Sequence, residues 1–278
     1  MAIYTQPGLR AGWEPDTPVG DTLVNRYVHS FAASNLGPVR ALGGRTLERD
    51  DVAAADLGRP TGFLLNTAVL LRPVDQEDAG ELLEVLDDFY GAGTGIVTLY
   101  SAWPTPDLRG HGWQLEGHPP MLVRPPSGPV DDAMPEGLRI VEADSPERID
   151  DWSRVAVDGF PFEELQPYRP GSLLDDRILG EDRLRLWVGY DSDGPVCIGA
   201  LFVEHELGQP WLAATLPTAR GRGYYRAMAN HRINAAPPVP LATLFSDMSR
   251  PAAEKHLGFL PVIRFTLWSK QRPSRQER

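Results

Sequence analysis

Cysteine is nearly absent from this 278-residue chain. Cys197 stands alone, so no internal disulfide can form, and a single thiol fits a reducing compartment. Because it lies in the apolar run VCIGALFV, it reads as a small buried hydrophobe and not as a nucleophile. Lysine is almost as scarce, with only Lys255 and Lys270, and arginine carries nearly all the positive charge. Lys and Arg together number 27 against 38 Asp and Glu, a net charge of −11. That balance excludes a general nucleic-acid surface, so an anionic partner must be met by a local cluster. Long hydrophobic runs are missing too: no stretch approaches the roughly 20 apolar residues that cross a bilayer. The first residues, MAIYTQPGLRAGWEPD, have neither the basic start nor the apolar core of a secretory leader. The expectation is a cytoplasmic globular protein with no membrane partner.

Other absences narrow the chemistry. There is no Gly-Lys-Ser/Thr of a Walker loop, and no third glycine of a dinucleotide fingerprint. His111 and His118 lie among Gly and Pro without a cysteine or paired carboxylate at ligand spacing, so no metal is expected. What is present is apolar: 42% hydrophobic residues, 9% of all residues aromatic, can fill the core of one large or two ordinary domains.

The segment Pro125 to Gly137 carries four prolines and no apolar period, and it marks a linker between a lobe spanning 1–130 and a second spanning 138–278. In the first lobe, Tyr27–Asn35 and Leu47–Leu57 suggest helices, FLLNTAVLLR and IVTLYSAW suggest strands, and HGWQLEGHPPMLVR a final strand. In the second, LRIVEA is a strand, and Ser145-Pro146-Glu147 opens a helix with an N-cap, a proline at the first helical position and an acid at the positive end. LRLWVGY and VCIGALFVEH form a hairpin about Asp191–Gly194. Glu204 and His205, at its far end, are possible bases. Phe160, Phe162, Glu163, Glu164 and Tyr168 lie on a loop where aromatics either contact an acceptor or anchor the loop to its own core.

The most informative stretch is WLAATLPTARGRGYYRAM. An apolar strand ending at Thr215 runs through Arg220-Gly221-Arg222-Gly223 into a helix from Tyr224. At a helix N-terminus the first amides are unpaired and the dipole is positive, while glycine lets an anion approach the backbone. The loop is either a solvated turn or a phosphate cradle in which the arginines add charge-assisted donors.

Pro217, Arg220 and Gly223 resemble the acyl-CoA loop of the GNAT superfamily of acyl-CoA-dependent N-acyltransferases, Pro-x-x-[Gln/Arg]-x-x-Gly-x-[Gly/Ala]. Tyr225 stands where that pattern has Gly or Ala. Downstream, LATLFSDM, RPAAEKH and Leu257-Gly258-Phe259 entering FLPVIRFTLW follow the family order, and the resemblance covers residues 138 to 270. It implies an α/β, GNAT-like fold with a mixed sheet. The Gly-aromatic entry in the first half suggests a degenerate second lobe of the same kind, making two tandem lobes. It further implies that Ala213, Ala214, Thr215, Arg220, Gly221, Arg222, Gly223, Tyr224 and Tyr225 contact acetyl-CoA or another acyl-CoA. The family's thiol-protonating tyrosine falls on Glu254 counting back from Leu257-Gly258-Phe259, or on Ala253 counting from Ser246 and Met248; neither is tyrosine, so Glu254 is either an acid in that role or a solvated helix residue, with Tyr224 or Tyr225 as the alternative source of a phenol, and a neighbouring family Asn falls on Asp247. The activity so implied is transfer of a small acyl group to an amine of a small molecule. The alternatives are a non-catalytic acyl-CoA sensor and an acyltransferase that uses a carrier-protein thioester.

Overall fold

The computed structural model describes residues 23–126, 128–130, 133–160, 162–246 and 249–272. The chain opens with α1 (Leu23–Ala41), then β1 (Arg45–Glu48), β2 (Val52–Asp56), β3 (Thr67–Leu70), α2 (Ala79–Tyr90), β4 (Gly95–Ser101), β5 (Gln114–Gly117) and β6 (Pro120–Arg124). After the Pro-rich segment come β7 (Arg139–Glu142), α3 (Pro146–Gly159), β8 (Leu184–Asp191), β9 (Gly194–Glu204) and β10 (Leu207–Thr215). The last elements are α4 (Tyr224–Ala235), β11 (Leu241–Leu244), α5 (Arg250–His256), β12 (Leu260–Arg264) and β13 (Thr266–Arg272).

Local chemistry accounts for several of these boundaries. Ser145 Oγ accepts from the Arg148 N–H and starts α3, whose Ile149, Trp152, Val155 and Ala156 are buried on one face. The segment 47–57, read from sequence as a helix, is instead the β1–β2 hairpin, with Ala53–Ala55 paired to Thr46–Glu48 and to β3. Its alanines favour a helix locally, but every residue of β2 is buried between neighbouring strands and beneath α1, and tertiary pairing overrides propensity.

Two mixed sheets result, ordered β1-β2-β3-β4-β13-β5 and β12-β6-β11-β10-β9-β8-β7. They repeat one plan. A three-strand antiparallel meander, β1-β2-β3 or β8-β9-β10, is followed by a helix that crosses to a parallel strand, β4 or β11. Beyond that strand come an antiparallel strand and then a last one. The antiparallel strand is exchanged: β13 completes the first sheet between β4 and β5, and β6 completes the second between β11 and β12. Each of the two expected final strands is therefore a pair of strands in different sheets. The chain changes sheets at His118–Pro119 and at Phe265, and the two crossings bond to each other, Phe265 N–H to Pro119 O at 3.0 Å and Arg264 Nη1 to His118 O at 2.7 Å. The expected division at 125–137 thus separates the halves in sequence, while each sheet depends on a strand from the other half.

The exchange is locked by burial. Arg272 of β13, 5% exposed, pairs with the fully buried Asp56 at 2.8 Å and donates to Gly95 O. Asp56 also accepts from Arg45 at 2.8 Å, so it is loss of the Asp56 carboxylate that would strand the buried Arg272, at a cost of about 3–5 kcal/mol. α1 packs on β2 and β3 of one sheet and β9 and β10 of the other, and one continuous apolar core runs from Leu83 and Leu86 through Phe265 to Trp152. No described helix is long and apolar enough to cross a membrane.

Where α1 meets the turn after β9, His29 and His205 face each other with centroids 6.2 Å apart. They line a cavity of about 270 Å3 with Arg40, Arg49, Arg183 and Glu204. Burial, then the neighbouring His205, hold the His29 pKa below its usual value. Below about pH 6.5 the unfolded chain therefore takes up this proton before the folded one, and stability falls as pH drops through that window. The melting temperature is expected to be lower at pH 5.5 than at pH 7.5, with His29→Gln flattening that dependence in thermal unfolding.

Candidate active site

β10 and β11 are parallel but pair only at Gly208 and Leu241, where the Gly208 N–H reaches Pro240 O at 2.9 Å. Beyond that point they part. Leu216 N–H bonds to Val196 O on β9, so by strand alternation the N–H and C=O of Ala213 and Thr215 point away from β9, towards the gap. On the other side Phe245 N–H bonds to Pro120 O on β6, which turns the backbone of Ala242 and Leu244 to the same gap. Two strand edges thus face each other across the gap, with Thr215 O already accepting from Arg220 and Leu244 O from the Thr243 hydroxyl. Of the three strand residues expected to contact the donor, Ala213 and Thr215 line the gap, and the backbone of Ala214 is directed to β9.

The loop closes one end of this gap. Gly221 and Gly223 have φ of +79° and +83°, and Gly223 is the N-cap of α4 without a side-chain cap. The first intrahelical bond is Ala227 N–H to Gly223 O, so the amides of Tyr224, Tyr225 and Arg226 have no acceptor within the helix. Arg220 donates to Thr215 O and Gly159 O, pinning the loop to β10 and α3, and so acts first as a brace. Arg222, half exposed, reaches the buried Asp191 at 3.4 Å, and the Tyr224 hydroxyl lies 3.5 Å from the same carboxylate. Asp191 was not apparent as a site residue in the sequence, because there it is one acid among several in a turn.

α4 also carries a charge on its buried face that the sequence reading did not single out. Tyr224, Met228 and Arg232 share the buried face at i, i+4 and i+8, and Arg232 is buried with no carboxylate partner among the described residues. Its Nη1 donates to Ala200 O and Trp211 O across the irregular register between β9 and β10, and burial lowers its pKa. It holds open the bulge at which β10 turns away from β11.

Glu254 lies on α5, about a third exposed, and accepts from Arg250 Nε one turn back. An oxygen occupied as an acceptor does not present a proton, so this position gives no support to an acid at residue 254. Glu254→Gln is expected to change turnover less than about twofold and to lower stability by about 0.3–0.5 kcal/mol, the value of an exposed i, i+4 pair, checked by steady-state rates and denaturant unfolding. Asp247 lies outside the described residues. Glu204 pairs with Arg183, and His205 sits in the left-handed hairpin turn at the end of β10 remote from the loop. The loop aromatics Phe160 and Phe162 pack with Phe63, and Tyr168 donates to Asp150 at 2.6 Å, so they anchor their loop to the core. Cys197 is buried, its pKa pushed up to about 12, chiefly by burial. Among the described residues no cluster of His, Cys, Asp and Glu could hold a metal.

The sequence matches no protein-family model and no curated protein. The fold, however, is shared with solved structures. A GCN5-related N-acetyltransferase from Kribbella flavida superposes with a TM-score of 0.66 at 15% identity, covering 92% of this chain and 99% of that one. A conserved protein of unknown function from Staphylococcus epidermidis gives 0.57 at 14% identity over 83% and 95%. A GCN5-related N-acetyltransferase from Sphaerobacter thermophilus gives 0.50 at 16% over 81% and 78%. The chain therefore has the GNAT fold, extended over both of its halves.

Proposed function

We infer that the protein is an acyl-CoA-dependent N-acyltransferase that moves an acetyl or other small acyl group directly to an amine of a small molecule. The observation that carries this is the β10–β11 gap, with the backbone of Ala213 and Thr215 opposite that of Ala242 and Leu244. A pantetheine arm has two amides, which complement such edges as a further strand would. The CoA pyrophosphate falls at the uncapped start of α4, on the amides from Gly221 to Arg226, where dipole and unpaired N–H groups favour an anion. Arg222 adds a guanidinium that is only loosely held by Asp191. With both reactants aligned, the amine attacks the thioester directly, and proximity supplies much of the rate.

A non-catalytic acyl-CoA sensor is the second reading, favoured by the absence of a tyrosine on α5 and by the tie between Glu254 and Arg250. Calorimetric titration with CoA, followed by assay of thioester consumption over a panel of primary amines, separates the two. Binding with turnover supports the enzyme and binding without it the sensor; no binding of CoA overturns both. A donor held on a carrier protein would show as turnover restricted to a phosphopantetheinylated carrier.

A further inference from the structure

Asp191 ends β8 and opens the turn into β9, where its backbone pairs with Gly194. Its side chain is 7% exposed, and its two oxygens have different partners. Oδ1 accepts from the Asp193 N–H at 2.9 Å, a bond within the turn that fixes the carboxylate. Oδ2 is directed to the residues on either side of Gly223, with Arg222 Nη1 at 3.4 Å and the Tyr224 hydroxyl at 3.5 Å. A charge-assisted bond from an arginine ordinarily closes to about 2.7–2.9 Å, so this one is stretched. Where the chain uses an arginine to fix a turn, the fork does close: Arg177 meets Asp175 at 2.9 and 2.7 Å. The other bond of Arg222, from Nη2 to Thr218 O, is also long at 3.5 Å, and no further described acceptor holds this half-exposed guanidinium. Arg220, by contrast, is spent on the carbonyls of Thr215 and Gly159.

We propose that Asp191 is a positioning residue for the CoA site: its carboxylate holds Arg222 beside the start of α4 in place of a ligand phosphate, and yields that guanidinium to the CoA pyrophosphate on binding. This rests on the placement of CoA at the α4 loop made above. The exchange has a defined sign. A guanidinium carries its N–H donors in one rigid plane, so Arg222 turns Nε and Nη2 to a phosphate while Nη1 stays near Asp191. Asp191 then competes with the phosphate for the same positive charge. Its carboxylate keeps the arginine in place and at the same time lowers the affinity of the loop for CoA. That compromise suits a transferase, because CoA is also the product that must leave, and binding shared equally by donor and product does not speed the chemical step.

Asp191→Asn keeps an oxygen that accepts from the Asp193 N–H and removes the charge. The variant is expected to bind CoA about five- to tenfold more tightly than the wild type in calorimetry, and to release it more slowly by a similar factor in stopped-flow displacement. Arg222→Met is expected to weaken CoA binding about tenfold. In the Arg222→Met background the gain from Asp191→Asn should shrink below about twofold, because the carboxylate acts through the guanidinium. Weaker or unchanged CoA binding in Asp191→Asn, an equal gain in both backgrounds, or unchanged affinity in Arg222→Met overturns the role of Asp191 while leaving CoA binding by the chain intact. A wild-type protein that binds no CoA overturns both. Should Asp191→Asn not fold, the wild type decides alone: the Arg222 Nε–H resonance, assigned by its loss in Arg222→Met, must shift on titration with CoA, and an unmoved resonance overturns the exchange.

Discussion

Expressed separately, residues 1–130 and 138–278 are expected to show no cooperative unfolding transition, whereas the intact chain unfolds in one. The first fragment lacks β13, which pairs with β4 along seven residues from Thr266 to Arg272 and also with β5. The second lacks β6, fully buried between β11 and β12. Each would expose two bare edges and part of one core, and would leave the Asp56 carboxylate without Arg272 or the crossing at Phe265 without Pro119. A protease cut within 126–136 is expected to act differently, leaving both fragments associated by their exchanged strands on size-exclusion chromatography. A cooperative transition in either isolated fragment, with a denaturant slope matching its share of the surface, would show that the exchanged strand is dispensable.

The second large effect is expected at Gly223. A Cβ there meets only Pro135 Cγ at 3.6 Å, an ordinary contact, so the demand for glycine comes from φ of +83° and not from space. Valine is strained in that region by about 1–3 kcal/mol, and relief of the strain would turn the amides at the start of α4 away from the anion. CoA affinity is expected to fall more than tenfold in Gly223→Val, with Gly223→Asn between the two because asparagine tolerates left-handed backbone. Calorimetry should reproduce that order, Gly above Asn above Val. Unchanged CoA binding by the valine variant would remove the loop from the site.

Several features could be read before any coordinates were seen. The end of β10, the loop and α4 were legible because Pro217, Gly221 and Gly223 act locally, whereas Pro210, expected to bound a strand at 211–215, lies within β10 opposite Leu201. Ser145 with Pro146 marked the start of α3 for the same reason, and RPAAEKH coincides with α5.

The sequence by itself determined the order of elements from β7 to α5, the glycine-rich turn before α4 and the lone buried thiol, since each depends on residues adjacent in the chain. Only the tertiary structure decided which sheet each strand joins. β5 with β6, and β12 with β13, each read as one apolar strand, because alternation records burial and not the identity of the pairing partner. The same limit hid the role of the helix expected over Tyr27–Asn35: only the structure shows that α1 packs against strands of both sheets and buries Tyr27 completely. Distant pairing is a property of the assembled core, where non-local burial outweighs local preference, as it does for the alanines of β2.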